Sequence, residues 1–291
     1  MIYTLKNDEI TAKIASLGAE LVSVEGNGFQ YIWTGDAWGD HAPLLFPTCG
    51  KLLDNRYSYR DKEYKMGGHG FAKISEFELV GASDCSLTLR LASSEATLAI
   101  YPFAFELIAE YRIDGCSLYL DLTVKNEGED VMPYMIGWHP GFVLGGEEPI
   151  KSFSLSFSGE ERATMHPLVM KNGNPTPFLS GKEIDFPLEN GRYRLNEEQI
   201  YSNDTLILTG LGGVATISAD GFERKATVTW SENLPYFCIW KAPESDARFI
   251  CLEPWSDVPS DGITPECFDT RRMSRLAPRE LYKYSYSVKF Y

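Results

Sequence analysis

The sequence predicts an all-β fold, one large antiparallel β-sandwich spanning residues 1–291, and three observations carry that reading. Apolar residues recur at every second position over long stretches, the period at which a strand turns one face to a core. Helical periodicity is poor throughout. The 25 glycines and 16 prolines are spread evenly rather than gathered in a linker, as many short strands joined by many turns require. With 44% hydrophobic and 13% aromatic residues the chain can bury a sizeable core, and no repeat or low-complexity stretch divides it.

Taken in order, Ile10 to Val24 alternates and reads as strand, and Tyr57 to Tyr64 reads as a hairpin turning near Arg60-Asp61-Lys62. Phe77 to Leu91 alternates again. The clearest signal begins at Phe105, where Phe105, Leu107, Ala109, Tyr111 and Ile113 are apolar. Asp114-Gly115-Cys116-Ser117 interrupts, and Leu118, Leu120, Leu122 and Val124 resume, which predicts a β-hairpin with one buried face. Lys151 to Phe157, Thr205 to Ile217 and Lys225 to Ile239 carry the same pattern, and Tyr282 to Tyr291 closes a sheet. Two short segments, Asn196 to Tyr201 and Pro265 to Met273, suit a helical turn each.

Charge narrows the partners. Lys+Arg number 27 against 41 Asp+Glu, a formal charge of −14, and a surface that acidic repels nucleic-acid phosphates and anionic membranes. Residues 1 to 30 show no basic start followed by a long apolar run, and no stretch of spanning length is free of charges and turn residues. The expectation is therefore a cytoplasmic protein without membrane or nucleic-acid partners. Cys49, Cys85, Cys116, Cys238, Cys251 and Cys267 form no Cys-x-x-Cys, so free thiols are expected. His41, His69, His139 and His166 lie far apart, which argues against a structural zinc site.

Two motifs mislead. Gly210-Leu-Gly212-Gly-Val-Ala215 fits a dinucleotide fingerprint, but the sequel Thr-Ile-Ser-Ala-Asp-Gly reads as strand and turn, not the helix that pyrophosphate needs. A hairpin connection is expected there. No G-x-S-x-G occurs, so an esterase elbow has no support.

Three other motifs carry chemistry, each with an ordinary reading beside it. In Gly67-Gly68-His69-Gly70-Phe71, three glycines give little steric cover and present an imidazole to a cavity; the ordinary reading is a loop histidine. In Ile136-Gly137-Trp138-His139-Pro140-Gly141-Phe142, Trp138 offers a stacking face for a sugar beside His139; the ordinary reading is a core tryptophan next to a hydrogen-bonded histidine. In Phe249-Ile-Cys-Leu-Glu253-Pro254-Trp255, an apolar run meets a carboxylate that is costly to leave unpaired, and Pro254 opposes ladder pairing; the ordinary reading is a charge closing a strand. Together, two histidines and a glutamate are the groups needed to move protons between two oxygens near neutral pH.

On these motifs the sequence resembles the aldose 1-epimerase (galactose mutarotase-like) family, in particular its shorter, LacX-like bacterial branch. The resemblance runs from Leu17-Gly-Ala-Glu-Leu21 through Trp38-Gly-Asp-His-Ala-Pro-Leu-Leu-Phe-Pro47, the three motifs, Tyr101-Pro-Phe-Ala-Phe105 and Ile239-Trp240-Lys-Ala-Pro243. It implies a β-supersandwich with an open cleft on one sheet, working on a small sugar without cofactor or metal. Glu253 matches the general base that takes the C1 hydroxyl proton, His139 the general acid at the ring oxygen, and His69 the second histidine on the ring side. Asp204 matches a sugar-hydroxyl-binding aspartate. Lys51 departs from the pattern, standing where most relatives carry arginine; it keeps the charge and loses the planar two-pronged fork.

The resemblance implies an epimerase of a free aldohexose. The same chemistry on a hexose 6-phosphate, using Lys51, Lys73 and Arg56, is the first alternative, and a catalytically idle carbohydrate-binding protein is the second. A glycoside hydrolase would want two opposed carboxylates across the scissile bond, where this chain offers paired histidines.

Overall fold

The computed structural model describes residues 1–143, 145, 150–158, 162–219, 224–243 and 247–291. The chain is mostly β, and its two main sheets are antiparallel. The larger has nine strands, in the order Arg192–Arg194, Phe153–Phe157, Val214–Ala219, Ala226–Trp230, Leu281–Phe290, Ser117–Asn126, Phe105–Asp114, Ser86–Ala92 and Glu78–Ala82. The second has eight, in the order Ile184–Pro187, Arg162–Met165, Thr205–Thr209, Tyr236–Trp240, Phe249–Trp255, Gly137–Trp138 and Leu44–Leu45, with Gly141–Val143 also pairing to Phe249–Trp255.

The sheets face one another across an aromatic layer. Trp138 meets Tyr286 at 5.6 Å between ring centroids, Trp230 meets Phe237 at 4.7 Å, and Phe46 meets Phe105 at 5.1 Å. Phe105–Asp114 alternates buried and more exposed residues, so one face of the nine-stranded sheet packs inward and the other meets solvent. Strand Phe249–Trp255 differs: all seven residues are buried, because one face packs on the core and the other lines a covered cleft.

The hairpins fall where turn chemistry demands them. Asp114 pairs with Ser117 around Gly115-Cys116. Arg60 and Asp61 both take positive φ (47° and 61°) between Arg56–Tyr59 and Lys62–Lys65, the signature of a tight turn whose twist matches its strands. Asn196 caps a helix at Glu197–Asn203, its side chain accepting from the Gln199 N–H at 3.1 Å.

Two expectations are corrected and one element was missed. Gly210–Gly213 is not a hairpin connection: Thr205–Thr209 belongs to the eight-stranded sheet and Val214–Ala219 to the nine-stranded one. Four residues suffice to cross the roughly 10 Å between packed sheets, and Gly210 and Gly213 supply the positive φ values, 81° and 78°, of the corner. Pro265 to Met273 forms turns rather than a helix, held by the Thr270 and Arg271 N–H groups donating to the Cys267 carbonyl. A helix at Glu95–Ile100 escapes periodicity because it is short; Ser94 and Thr97 close a reciprocal capping box at its start. Among the described residues no helix is long and apolar enough to cross a membrane.

Candidate active site

Glu253 stands on the second sheet between Tyr236–Trp240 and the broken neighbour Gly137–Val143. Strand alternation sends Ile250 and Leu252 into the core and Cys251 and Glu253 to the opposite face. The neighbouring chain pairs at Gly137 with Trp255 and again at Gly141 with Cys251, leaving the ladder between them at His139-Pro140. Pro254 falls within that interruption; it is opposite Phe237 on the other side, so it sits inside the strand rather than ending it. Gly137 is required here, since a Cβ would lie 2.6 Å from Trp255 Cδ1.

The break brings His139 beside Glu253. Nε2 lies 3.2 Å from Glu253 Oε2, but the two are not aligned as a hydrogen bond, and neither carboxylate oxygen nor His139 Nδ1 has a hydrogen-bond partner. Glu253 is 1% exposed and His139 8%. Trp38 covers the His139 ring at 4.9 Å and Trp240 approaches its edge at 5.7 Å. Burial, with the Asp204 carboxylate nearby, holds the Glu253 carboxyl well above its ordinary range. Burial, with His69 and then Lys73 nearby, holds His139 well below its own. Both shifts favour the neutral form of each group.

His69 reaches the same cavity from a strained loop. Its φ is 63°, and its N–H donates to the Gly50 carbonyl at 2.8 Å. The Gly50 N–H in turn donates to His69 Nδ1 at 3.2 Å, so in the neutral ring the proton sits on Nε2. Gly70 must be glycine: φ is +73° and a Cβ would fall 2.2 Å from the Phe46 carbonyl oxygen. Burial, then Lys73 and Lys51, push the His69 pKa down to about 4.

Asp204 caps the C-terminus of helix Glu197–Asn203 with φ 58° and ψ −61°, a γ-turn conformation that non-glycine residues rarely adopt. It accepts from Thr205 Oγ1 at 3.3 Å, and burial raises its carboxyl pKa. Lys51 follows Gly50 and lines the cavity, exposed.

The structure thus brings Glu253, His139, His69, Lys51 and Asp204 around one cavity of about 320 Å³, near the lower end of the range of roughly 300–1,000 Å³ for small-molecule sites. It does not bring Trp138 there. That ring is fully buried on the core face, packed on Tyr286, with Nε1 donating to the Ala42 carbonyl at 3.1 Å. As the residue before His139 it faces the other way. The aromatic walls are instead Trp38, Trp240 and Trp255. Asp40 and Lys73, ion-paired at 2.6 Å, also line the cavity. Of these, Trp38 and Asp40 lie within a segment singled out in the sequence and Trp240 within another; Lys73 was named there as a candidate phosphate cation and is instead paired with Asp40. A larger cavity of about 1250 Å³, flanked by Tyr201, Lys241 and Arg248, is lined by no histidine, and its Glu197 is ion-paired with Lys241 at 3.2 Å. Among the described residues, His139, Cys251 and Glu253 are the group whose metal-ligating atoms gather, all within 4.8 Å of one another.

The sequence profile of aldose 1-epimerases matches residues 1–264. The chain belongs to the aldose 1-epimerase family. It is 29% identical over 309 residues to the chromosomal LacX protein of Lactococcus lactis, covering 99% of both chains. Among solved structures, a galactose mutarotase related enzyme from Lactobacillus acidophilus superposes with a TM-score of 0.91 at 26% identity, covering 100% of this chain and 97% of that one. A galactose mutarotase-like protein from Lactobacillus casei gives the same TM-score of 0.91 at 26% identity, covering 100% of both. In this aldose 1-epimerase family member the cavity that holds Glu253 lies on the eight-stranded sheet.

Proposed function

We propose that the protein is an aldose 1-epimerase that interconverts the α and β anomers of a free aldohexose. The observation that carries this reading is the His139–Glu253 pair, 3.2 Å apart, buried and otherwise unbonded at the floor of a sugar-sized cavity. An acid and a base that close serve the two oxygens bonded to C1, the hydroxyl and the ring oxygen.

The carboxylate of Glu253 takes the C1 hydroxyl proton. The electron pair forms the C1 carbonyl as the bond from C1 to the ring oxygen breaks, and protonated His139 gives its proton to that oxygen. Rotation about C1–C2 turns the other aldehyde face, and the reverse transfers close the ring. Before ring opening the pair holds its proton on His139; afterwards it holds one on Glu253. Sugar hydroxyls meeting the unbonded carboxylate oxygens stabilise the charged form that starts the cycle. His69, with its Nε2 proton, donates to the ring side of the sugar. Asp204 and Lys51 bind hydroxyls.

A free sugar is favoured over a phosphorylated one by the fate of the cations. Lys73 is tied to Asp40, and Arg56 pairs with Glu63 on the exposed hairpin. Lys51 remains as a cavity cation with no ion pair among the described residues. One point charge does not make a dianion site. The test is an anomer-exchange assay by NMR on free and 6-phosphorylated hexoses. Faster turnover of the phosphorylated sugars would overturn the choice of substrate, and no turnover of either would favour an idle binding protein.

A further inference from the structure

We infer that His139, Cys251 and Glu253 form a zinc-binding site, and that filling it switches off the proton-transfer pair. The binding half of this inference stands without the proposed function; the inhibitory half rests on it.

Cys251 and Glu253 are two residues apart on one strand and so share the cleft face, and the ladder break at His139-Pro140 delivers the imidazole to them. All three are buried, at 8%, 0% and 1% exposure in chain order. Their donor atoms already lie within 4.8 Å of one another, whereas zinc–ligand lengths at a tetrahedral angle place donors about 3.3–3.8 Å apart. The closure needed is therefore about 1 Å by side-chain rotation, and the His139–Glu253 pair, at 3.2 Å, has made it.

Both Glu253 oxygens lack hydrogen-bond partners, and so does His139 Nδ1, the ring nitrogen other than the one 3.2 Å from Glu253. Buried polar atoms of that kind call for an explanation. A sulfur, an imidazole nitrogen and a carboxylate oxygen form a mixed set that suits zinc and is wrong for magnesium or calcium, which take oxygen. His139 and Glu253 line the cavity while Cys251 lies behind them in the Phe249 cluster, and three protein ligands leave a fourth position for water or a sugar hydroxyl. Binding releases the Cys251 thiol proton to solvent. With the metal on Glu253 and on the imidazole, neither group can exchange a proton with sugar.

The experiment uses the full-length protein stripped of metal. Zinc alone is titrated by calorimetry in buffers of different ionisation enthalpy, and cobalt(II) is titrated by absorbance. One site is expected, with proton release, a thiolate-to-cobalt charge-transfer band and the strong visible bands of tetrahedral cobalt. Cys251→Ser should abolish the charge-transfer band and weaken zinc by at least about tenfold, since loss of even an outer-shell partner costs 10–100-fold. Cys251→Ala repeats the test if the serine variant fails to fold. Anomer exchange should fall as zinc is added and return with a chelator. The absence of a charge-transfer band, or equal zinc affinity in a folded Cys251 variant, would overturn the site. Faster anomer exchange with zinc would overturn its inhibitory role. A protein that turns over no sugar yet shows the cobalt spectrum would keep the site and lose the epimerase reading.

Discussion

Replacing Glu253 by glutamine separates basicity from shape. The side chain is 1% exposed and fills its place beside His139, and glutamine keeps that volume and one acceptor oxygen. What disappears is the ability to take a proton. Loss of a general base costs about 10²–10⁴ in rate, or about 2.7–5.5 kcal/mol of barrier. Sugar affinity should change little, because hydroxyl contacts at Asp204 and Lys51 persist. Stability should move the other way. The Glu253 carboxyl is raised well above 4.5 in the fold, so its favourable contribution is complete below that pH and drains away as pH rises through the raised value. Glutamine does not titrate. The melting temperature of Glu253→Gln should therefore gain on wild type steadily as pH rises from about 4.5. The assays are anomer exchange by NMR, calorimetry for binding and melts across pH. A folded variant that turns over at the wild-type rate refutes the catalytic assignment, and a pH-independent difference in melting refutes the burial argument.

Gly70→Ala forces a Cβ against the Phe46 carbonyl at a φ of +73° and should cost about 1–3 kcal/mol, a fall in melting temperature of some 2–4 °C per kcal/mol, with activity lost as His69 moves. An unchanged melt would show that the loop relaxes freely. His69, with its folded pKa at about 4, stabilises the protein above its ordinary value of 6.5 and loses that contribution as pH falls toward 4. His69→Asn should show a shallower loss of stability over that interval in pH-dependent melts, and parallel curves would refute the assignment. Lys51→Ala should raise KM for neutral sugars with little salt dependence; a loss confined to phosphorylated sugars that shrinks at high salt would instead mark a phosphate contact.

The strands were legible where one face is wet, as in Phe105–Asp114, because alternation is then written into the residues themselves. The connection at Gly210–Gly213 was not, since an arch between sheets and a hairpin within one ask the same glycines for the same positive φ. Glu253, His139 and His69 were visible through their motifs, and the cavity gathers them. Trp138 was misplaced because a residue's neighbour in sequence faces the opposite side of a strand. Trp38 and Lys73 were named in the sequence only as part of a matching segment and as a candidate cation, and folding makes them cavity walls; Cys251 meets His139 only across a break in the ladder that no spacing announces.

The strand Phe249–Trp255 has no exposed residue on either face. Such a segment opens only when the whole molecule opens, so its amides should be among the slowest in the protein to exchange with deuterium. The carboxylate of Glu253 is consequently anchored in the part of the molecule that fails last on heating. Heat that abolishes activity before the global transition must act on the walls, at the His69 loop or the turn at Asp204. A gap between the temperature of inactivation and that of unfolding would thus measure how loosely those walls are held.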